Sequence, residues 1–250
     1  MTAWMSDRLH RPDVASLAPL PVVPLLQPIA DGLWHVQHAF TTKGIAASSR
    51  MTIVRLANGA LWLHSPVAMS QQLRAEVAAL GEVGYLVAPN KLHHLFLADA
   101  AAAFPQARLF GAPGLSKKRP DISGLRTLSD ETELAWRNDF DQLVVRGFPL
   151  AHEVVWFHRP SRTLILTDLC QSWQGPLPFT AALYSSLTGV RNRLAVPRSV
   201  RLLIKDKRAF TACARAMLQW PFERVIMAHN SIVDNDAHAA VTRAFSFLDA

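Results

Sequence analysis

Ala88-Pro-Asn-Lys-Leu-His-His-Leu-Phe-Leu-Ala-Asp99 follows the apolar run Gly84-Tyr-Leu-Val-Ala88 and carries adjacent histidines, His93 and His94. The run is short and β-rich, and Pro89 stops it. Asn90 is a good N-cap, and Leu92, Leu95, Phe96 and Ala100 then recur at helical spacing, so the stretch reads as strand, loop and helix. On that reading both histidines sit in a first helical turn, just past the carboxyl end of a strand. Ligands of α/β proteins bind at this edge, because loops and helix N-termini converge there.

Upstream, Arg50-Met-Thr-Ile-Val-Arg-Leu56 and Ala60-Leu-Trp-Leu-His-Ser65 are two β-rich runs joined through Asn58-Gly59, the residues of a tight hairpin turn. Pro66 ends the second run, and Ser70 caps a helix whose Leu73, Val77 and Leu80 share one face. Before the hairpin, Leu33 to Val36 starts a strand after the Asp31-Gly32 turn. Residues 1–28 hold Pro12, Pro19, Pro21, Pro24 and Pro28, which points to an arm lying against the domain.

Downstream, Ala107 to Ala112, Leu143 to Arg146, Glu153 to His158, Thr163 to Thr167 and Arg224 to Ala228 read as strands. Helices are expected at Phe179 to Leu187, Lys205 to Trp220 and His238 to Leu248. Strands come first, then a strand–helix section, then more strands and a run of helices. The order fits two sheets packed together with helices outside, an α/β sandwich, and no linker divides residues 29–250.

Half of the 250 residues are apolar, enough for a large core, yet no apolar run approaches a membrane span. Cys170 and Cys213 make neither a disulfide framework nor a metal-ligand spacing, so a reducing cytoplasm is the expected compartment. Met1 to Gln27 lacks the apolar stretch and cleavage site of a secretory signal. The net charge of +7 is spread out, densest at Ser116-Lys-Lys-Arg119 and from Arg191 to Arg208. Aromatic side chains do not alternate with those cations, which argues against nucleic acid as the partner. A Gly-rich nucleotide loop and a nucleophile elbow are also missing, leaving a metal as the expected cofactor.

Further polar groups close strands. His152 follows Gly147-Phe-Pro-Leu-Ala151, Asp168 ends the run 163–167, and His229 ends 225–228. With His93 and His94 they form a set of imidazoles and one carboxylate, donors that suit Zn²⁺, iron or manganese.

The order of a His-rich loop opening a helix, a lone His, a Thr-Asp and a late His resembles the metallo-β-lactamase fold over about residues 29–248. It resembles more closely an uncharacterised branch of that superfamily with Asn-x-x-His-His at the usual metal motif. Leu61-Trp-Leu-His-Ser-Pro66 would match the strand that usually ends in Asp-x-Gly, Pro149-Leu-Ala-His152 the Pro-Gly-His loop, Leu166-Thr-Asp168 the metal-bridging Gly-Asp, and Met227-Ala-His229 the last histidine.

The resemblance implies a four-layer αββα sandwich and a metal site, but a reduced one. Anchoring the family's His-x-His-x-Asp-His on His94 puts Pro89 and Lys91 where the first two histidines belong, and His93 where the aspartate belongs. The first metal site then keeps only His152. The second keeps His94, Asp168 and His229, with His93 as a fourth donor, so one divalent metal is expected, zinc ahead of iron.

Three functions are open. In a metal-dependent hydrolase, His152 would serve as general base and Lys91 would hold an anionic group of a small-molecule substrate. An iron-dependent oxidoreductase would use the same donors. A non-catalytic scaffold would have lost the missing ligands by decay.

Overall fold

The computed structural model describes residues 25–42 and 45–249, so the proline-rich arm lies outside the described residues except for its last four. Sheet one runs through seven strands in chain order: β1 Gln27–Ala30, β2 Leu33–Thr42, β3 Ile45–Arg55, β4 Leu61–His64, β5 Val83–Ala88, β6 Arg108–Gly111 and β7 Arg126–Thr127. The first four pair antiparallel, and β4 to β7 pair parallel. Sheet two has the order β12-β11-β10-β9-β8, from β8 Phe140–Val144, β9 Val154–His158, β10 Thr163–Ile165, β11 Arg224–Ile226 and β12 Ile232–Val233. Within it only β10 and β11 are parallel.

Strand alternation decides the layers. Val54, Trp62, Val87, Trp156, Ile165 and Ile226 point into the core between the sheets. Their neighbours Ile53, Leu63 and Leu86 point outward to α1 Gln71–Leu80, α2 Leu97–Ala103 and α3 Leu115–Lys118. On the other side Val155, Leu164 and Val225 meet α5 Arg198–Leu202, α6 Lys207–Met217 and α7 Ala237–Phe245. The result is an αββα sandwich. A remaining helix, α4 Phe179–Thr188, leads into α5.

The hairpin forms as its turn residues dictate: Gly59 takes φ +85°, which a side chain would oppose, and its N–H donates to the Leu56 carbonyl. Ser70 caps α1 through a 3.1 Å bond from Leu73 N. Two expectations shift. The strand expected at 143–146 begins earlier, at Phe140, because Gln142 is an interior residue whose Oε1 accepts from the indoles of Trp156 (2.8 Å) and Trp136 (3.3 Å). The helix expected from Asn90 begins at Leu97 instead, so His93 and His94 lie in turns ahead of α2 and not in its first turn.

Candidate metal centre

The carboxyl ends of β4, β5, β10 and β11 meet at one end of the sandwich, and the residues just beyond them build the centre. Three side chains, His93, Asp168 and His229, place one donor atom each within 4.8 Å of the others. Asp168 Oδ1 lies 3.1 Å from His229 Nε2 and 3.4 Å from His93 Nε2, and the two imidazole nitrogens are 3.3 Å apart.

Each donor is held from behind. His229 Nδ1 donates to the Ser48 carbonyl at 2.7 Å, which turns Nε2 towards the cluster. His93 Nδ1 meets the hydroxyls of Ser65 (2.9 Å) and Ser49 (3.2 Å). Asp168 Oδ2 accepts from Asn90 Nδ2 at 2.9 Å, while Asn90 Oδ1 accepts from the N–H groups of Leu92 and His93. Asn90, fully buried, thus does two tasks: it caps the turn that carries His93 and orients the carboxylate. Behind them the buried Glu153 accepts from the backbone N–H groups of Thr167, Asp168 and Leu169.

Arg50, almost fully buried on β3, donates to the carbonyls of Met227 (2.5 Å), Asn230 and Ser231, which flank His229. Trp173 lies parallel to the His229 ring, centroids 6.1 Å apart. Two non-glycine residues with left-handed backbones adjoin the centre: Ser65 (φ 54°) and Asn230 (φ 53°). Such strained positions persist only where surrounding structure enforces them, and they cluster at functional sites.

Electrostatics favour an ionised carboxylate between imidazoles. Burial alone would raise Asp168, but the charge and hydrogen bonds of His93 and His229 reverse this and hold its carboxyl well below the usual range. His229 is lowered by burial, and its hydrogen bond and charge interaction with Asp168 outweigh that to leave it raised. Burial, then the charge of Asp168, pushes Glu153 up to about 8. Among the described residues no lysine or arginine pairs with Asp168.

The structure brings together His93, Asp168 and His229 of the expected ligands, and leaves His94 and His152 outside that cluster. His94, expected to anchor the site, has its Nδ1 3.1 Å from Arg119 Nη1, which also reaches the His94 carbonyl at 3.3 Å. A permanent cation there opposes a metal on that nitrogen. Burial, then the charges of Lys118 and Arg119, lowers the His94 pKa. His152 is half-buried and lowered by burial and then by Lys91; it borders a cleft of about 400 Å³ with Pro113, Asp130, Arg146 and Pro149. Lys91 Nζ donates to the Pro149 carbonyl at 2.9 Å.

Glu153 supports the backbone around Asp168. Ser48, Ser49 and Arg50 carried no signal as supports, since serines and an arginine on a strand look like its solvent face. Asn90 did carry one, as a cap three residues before a histidine.

Fold and centre together define a protein of the metallo-β-lactamase fold with a His–Asp–His set that could hold a metal ion. The chain belongs to the family described as Domain of unknown function (DUF4336), whose model matches residues 30–194. No curated protein matches it. Among solved structures, a metallo-beta-lactamase from Pontibacter korlensis aligns over 90% of this chain and 98% of its own, with TM-score 0.57 and 13% identity. The DIM-1 metallo-beta-lactamase covers 90% and 95%, with TM-score 0.62 and 13% identity. The Flv1 flavodiiron core from Synechocystis sp. PCC6803 covers 90% of this chain and 60% of its own, with TM-score 0.62 and 10% identity. At such identities the likeness concerns the fold alone. No helix of the described residues is long and apolar enough to cross a membrane.

Proposed function

We propose that the protein is a metal-dependent hydrolase with a single-metal centre held by His93, Asp168 and His229. The observation that carries this reading is the convergence of three donor atoms: with Nδ1 turned to the Ser48 carbonyl, His229 Nε2 meets His93 Nε2 and Asp168 Oδ1. Two neutral nitrogens and one anion on three residues are the donor set of catalytic zinc sites that keep a position open. A divalent ion bound there supplies Lewis acidity, lowering the pKa of water and polarising a carbonyl or phosphoryl oxygen.

The chain's own groups do the rest. Asn90 keeps Asp168 Oδ2 engaged, so that Oδ1 faces the imidazoles. Ser49 and Ser65 hold the His93 ring. A small apolar pocket beside His93 and His229, walled by Phe40, Leu92, Leu95 and Phe96, receives an apolar group of the substrate. His152, kept neutral by burial and by Lys91, is available to take a proton, and the Lys91 ammonium attracts an anionic group.

The test is elemental analysis of purified protein and of Asp168→Asn, followed by assays on ester, lactone, thioester and phosphodiester substrates. About one zinc per chain, absent from the variant, with hydrolysis that the variant loses, is expected. Inactivity of zinc-loaded protein across the panel would sink the hydrolase reading. A second reading rests on the same donors: two histidines and one carboxylate also suit Fe(II) with open positions for oxygen. Copurified iron with oxygen consumption would select it.

A further inference from the structure

Between Asp168 and Asp206 the chain holds no acidic residue, yet it holds Arg191, Arg193, Arg198, Arg201 and Lys205. This segment contains α4 and α5, and α4 is inverted. Its buried residues are Ser185 and Thr188, whereas Phe179, Leu183 and Leu187, spaced by four along one face, are 81%, 48% and 65% exposed. Leu202 on α5 is 85% exposed. Large apolar side chains turned outward from a helix with a polar inner face mark a surface made for something other than water.

Cations gather at the end of that stripe. Arg193 Nε donates to the Gly189 carbonyl at 2.8 Å, and Arg198 Nη1 to the Leu187 carbonyl at 3.2 Å. Both guanidiniums come within 3.4 Å of where a side chain on Gly189 would begin. Neither meets a carboxylate among the described residues. The arrangement therefore offers protruding leucines and a phenylalanine beside a concentrated positive charge.

We propose that the α4 face docks on an anionic lipid bilayer, with Phe179, Leu183 and Leu187 entering the headgroup–acyl boundary and Arg193 and Arg198 binding lipid phosphates. Charge selects this occupant. A second copy presenting the same face offers its cations no carboxylate, since residues 169–205 hold none. Nucleic acid would meet a stripe that is mainly aliphatic, with Phe179 its one ring, in place of the run of stacking aromatics it needs. The proposal stands apart from the metal centre, so protein stripped of metal binds equally well.

The test is co-sedimentation of the full-length protein with vesicles of phosphatidylcholine, alone or mixed with phosphatidylglycerol. Binding is expected only to the mixed vesicles and weakens as salt rises. Arg193→Gln with Arg198→Gln lowers it by about 25-fold, at about fivefold per arginine, and Leu183→Ser with Leu187→Ser by more than about tenfold. Thermal melting of both variants shows that they remain folded. The proposal is overturned if the wild type binds neither vesicle, if it binds both equally, or if light scattering shows a dimer that Leu183→Ser with Leu187→Ser dissociates. Preferential capture by single-stranded DNA would overturn it as well.

Discussion

The carboxylates at the far end of sheet two are held differently from Asp168. At the end away from the centre, Asp141 is gripped by Arg159, Glu223 by Arg162 and Asp234 by Arg224. At the other end, Asp168 faces two imidazoles and an amide. A guanidinium satisfies an aspartate permanently and leaves a metal nothing to bind. Imidazoles whose nitrogens turn to the same point satisfy it and bring donors of their own. The histidines differ likewise: His158, at the far end, bonds Ser161 through Nδ1 at 2.6 Å and has no partner for its buried Nε2, whereas His229 is committed at both nitrogens.

The sharpest way to break this contrast is to move the far-end solution to the centre. His93→Arg places a guanidinium beside Asp168, and the expected result is a folded protein that binds no zinc. Asp168→Asn is expected to lower zinc affinity by more than about a hundredfold, beyond what losing a supporting group does. Retention of stoichiometric metal by either variant, read by elemental analysis, would remove the centre from Asp168.

At the far end the histidine acts on stability. Burial lowers His158 from 6.5 to about 4. The unfolded chain therefore takes up a proton more readily than the fold, and the stability present above pH 6.5 is lost as pH falls towards 4. At about 1.4 kcal/mol per pH unit the contribution is at most about 3.5 kcal/mol. Urea melts of wild type and His158→Gln at neutral and mildly acid pH measure it; the variant's acid slope should be shallower.

Smaller effects sharpen the picture within the centre. Asn90→Ala removes the Asp168 partner and the acceptor for Leu92 N and His93 N, and zinc affinity should fall by about 10- to 100-fold. His94→Gln should change it by less than about twofold, because His94 pairs with Arg119. A larger loss in His94→Gln than in His93→Gln would exchange their roles.

That pair of neighbours shows where sequence reading ran out. Strand periodicity was legible because Trp62, Val87, Trp156 and Ile226 alternate with outward apolar residues, and Asn58-Gly59 signalled its own turn. Asp168 and His229 were legible as polar groups closing apolar strands. Choosing between His93 and His94 depended on where the chain turns after Asn90. A single residue of offset there exchanges which imidazole faces the cluster, and no periodicity governs an irregular turn. Asn90 signalled a helix cap correctly in kind, but its acceptor closes a turn and the helix starts later. Gln142 and Glu153 carried no signal, because a buried polar side chain with full hydrogen bonding looks, in sequence, like an exposed one.

Arg50 ties the two sheets where the centre lies, and its partner carbonyl at Met227 is 177 residues further along the chain. Contacts so distant in sequence form slowly, since the intervening loop must first be closed. During synthesis the first sheet can pair and twist long before β11 emerges, but its arginine waits for the last strands. The contacts that hold the His229 loop are therefore expected to form late, and a metal-binding signal during refolding would report their closure.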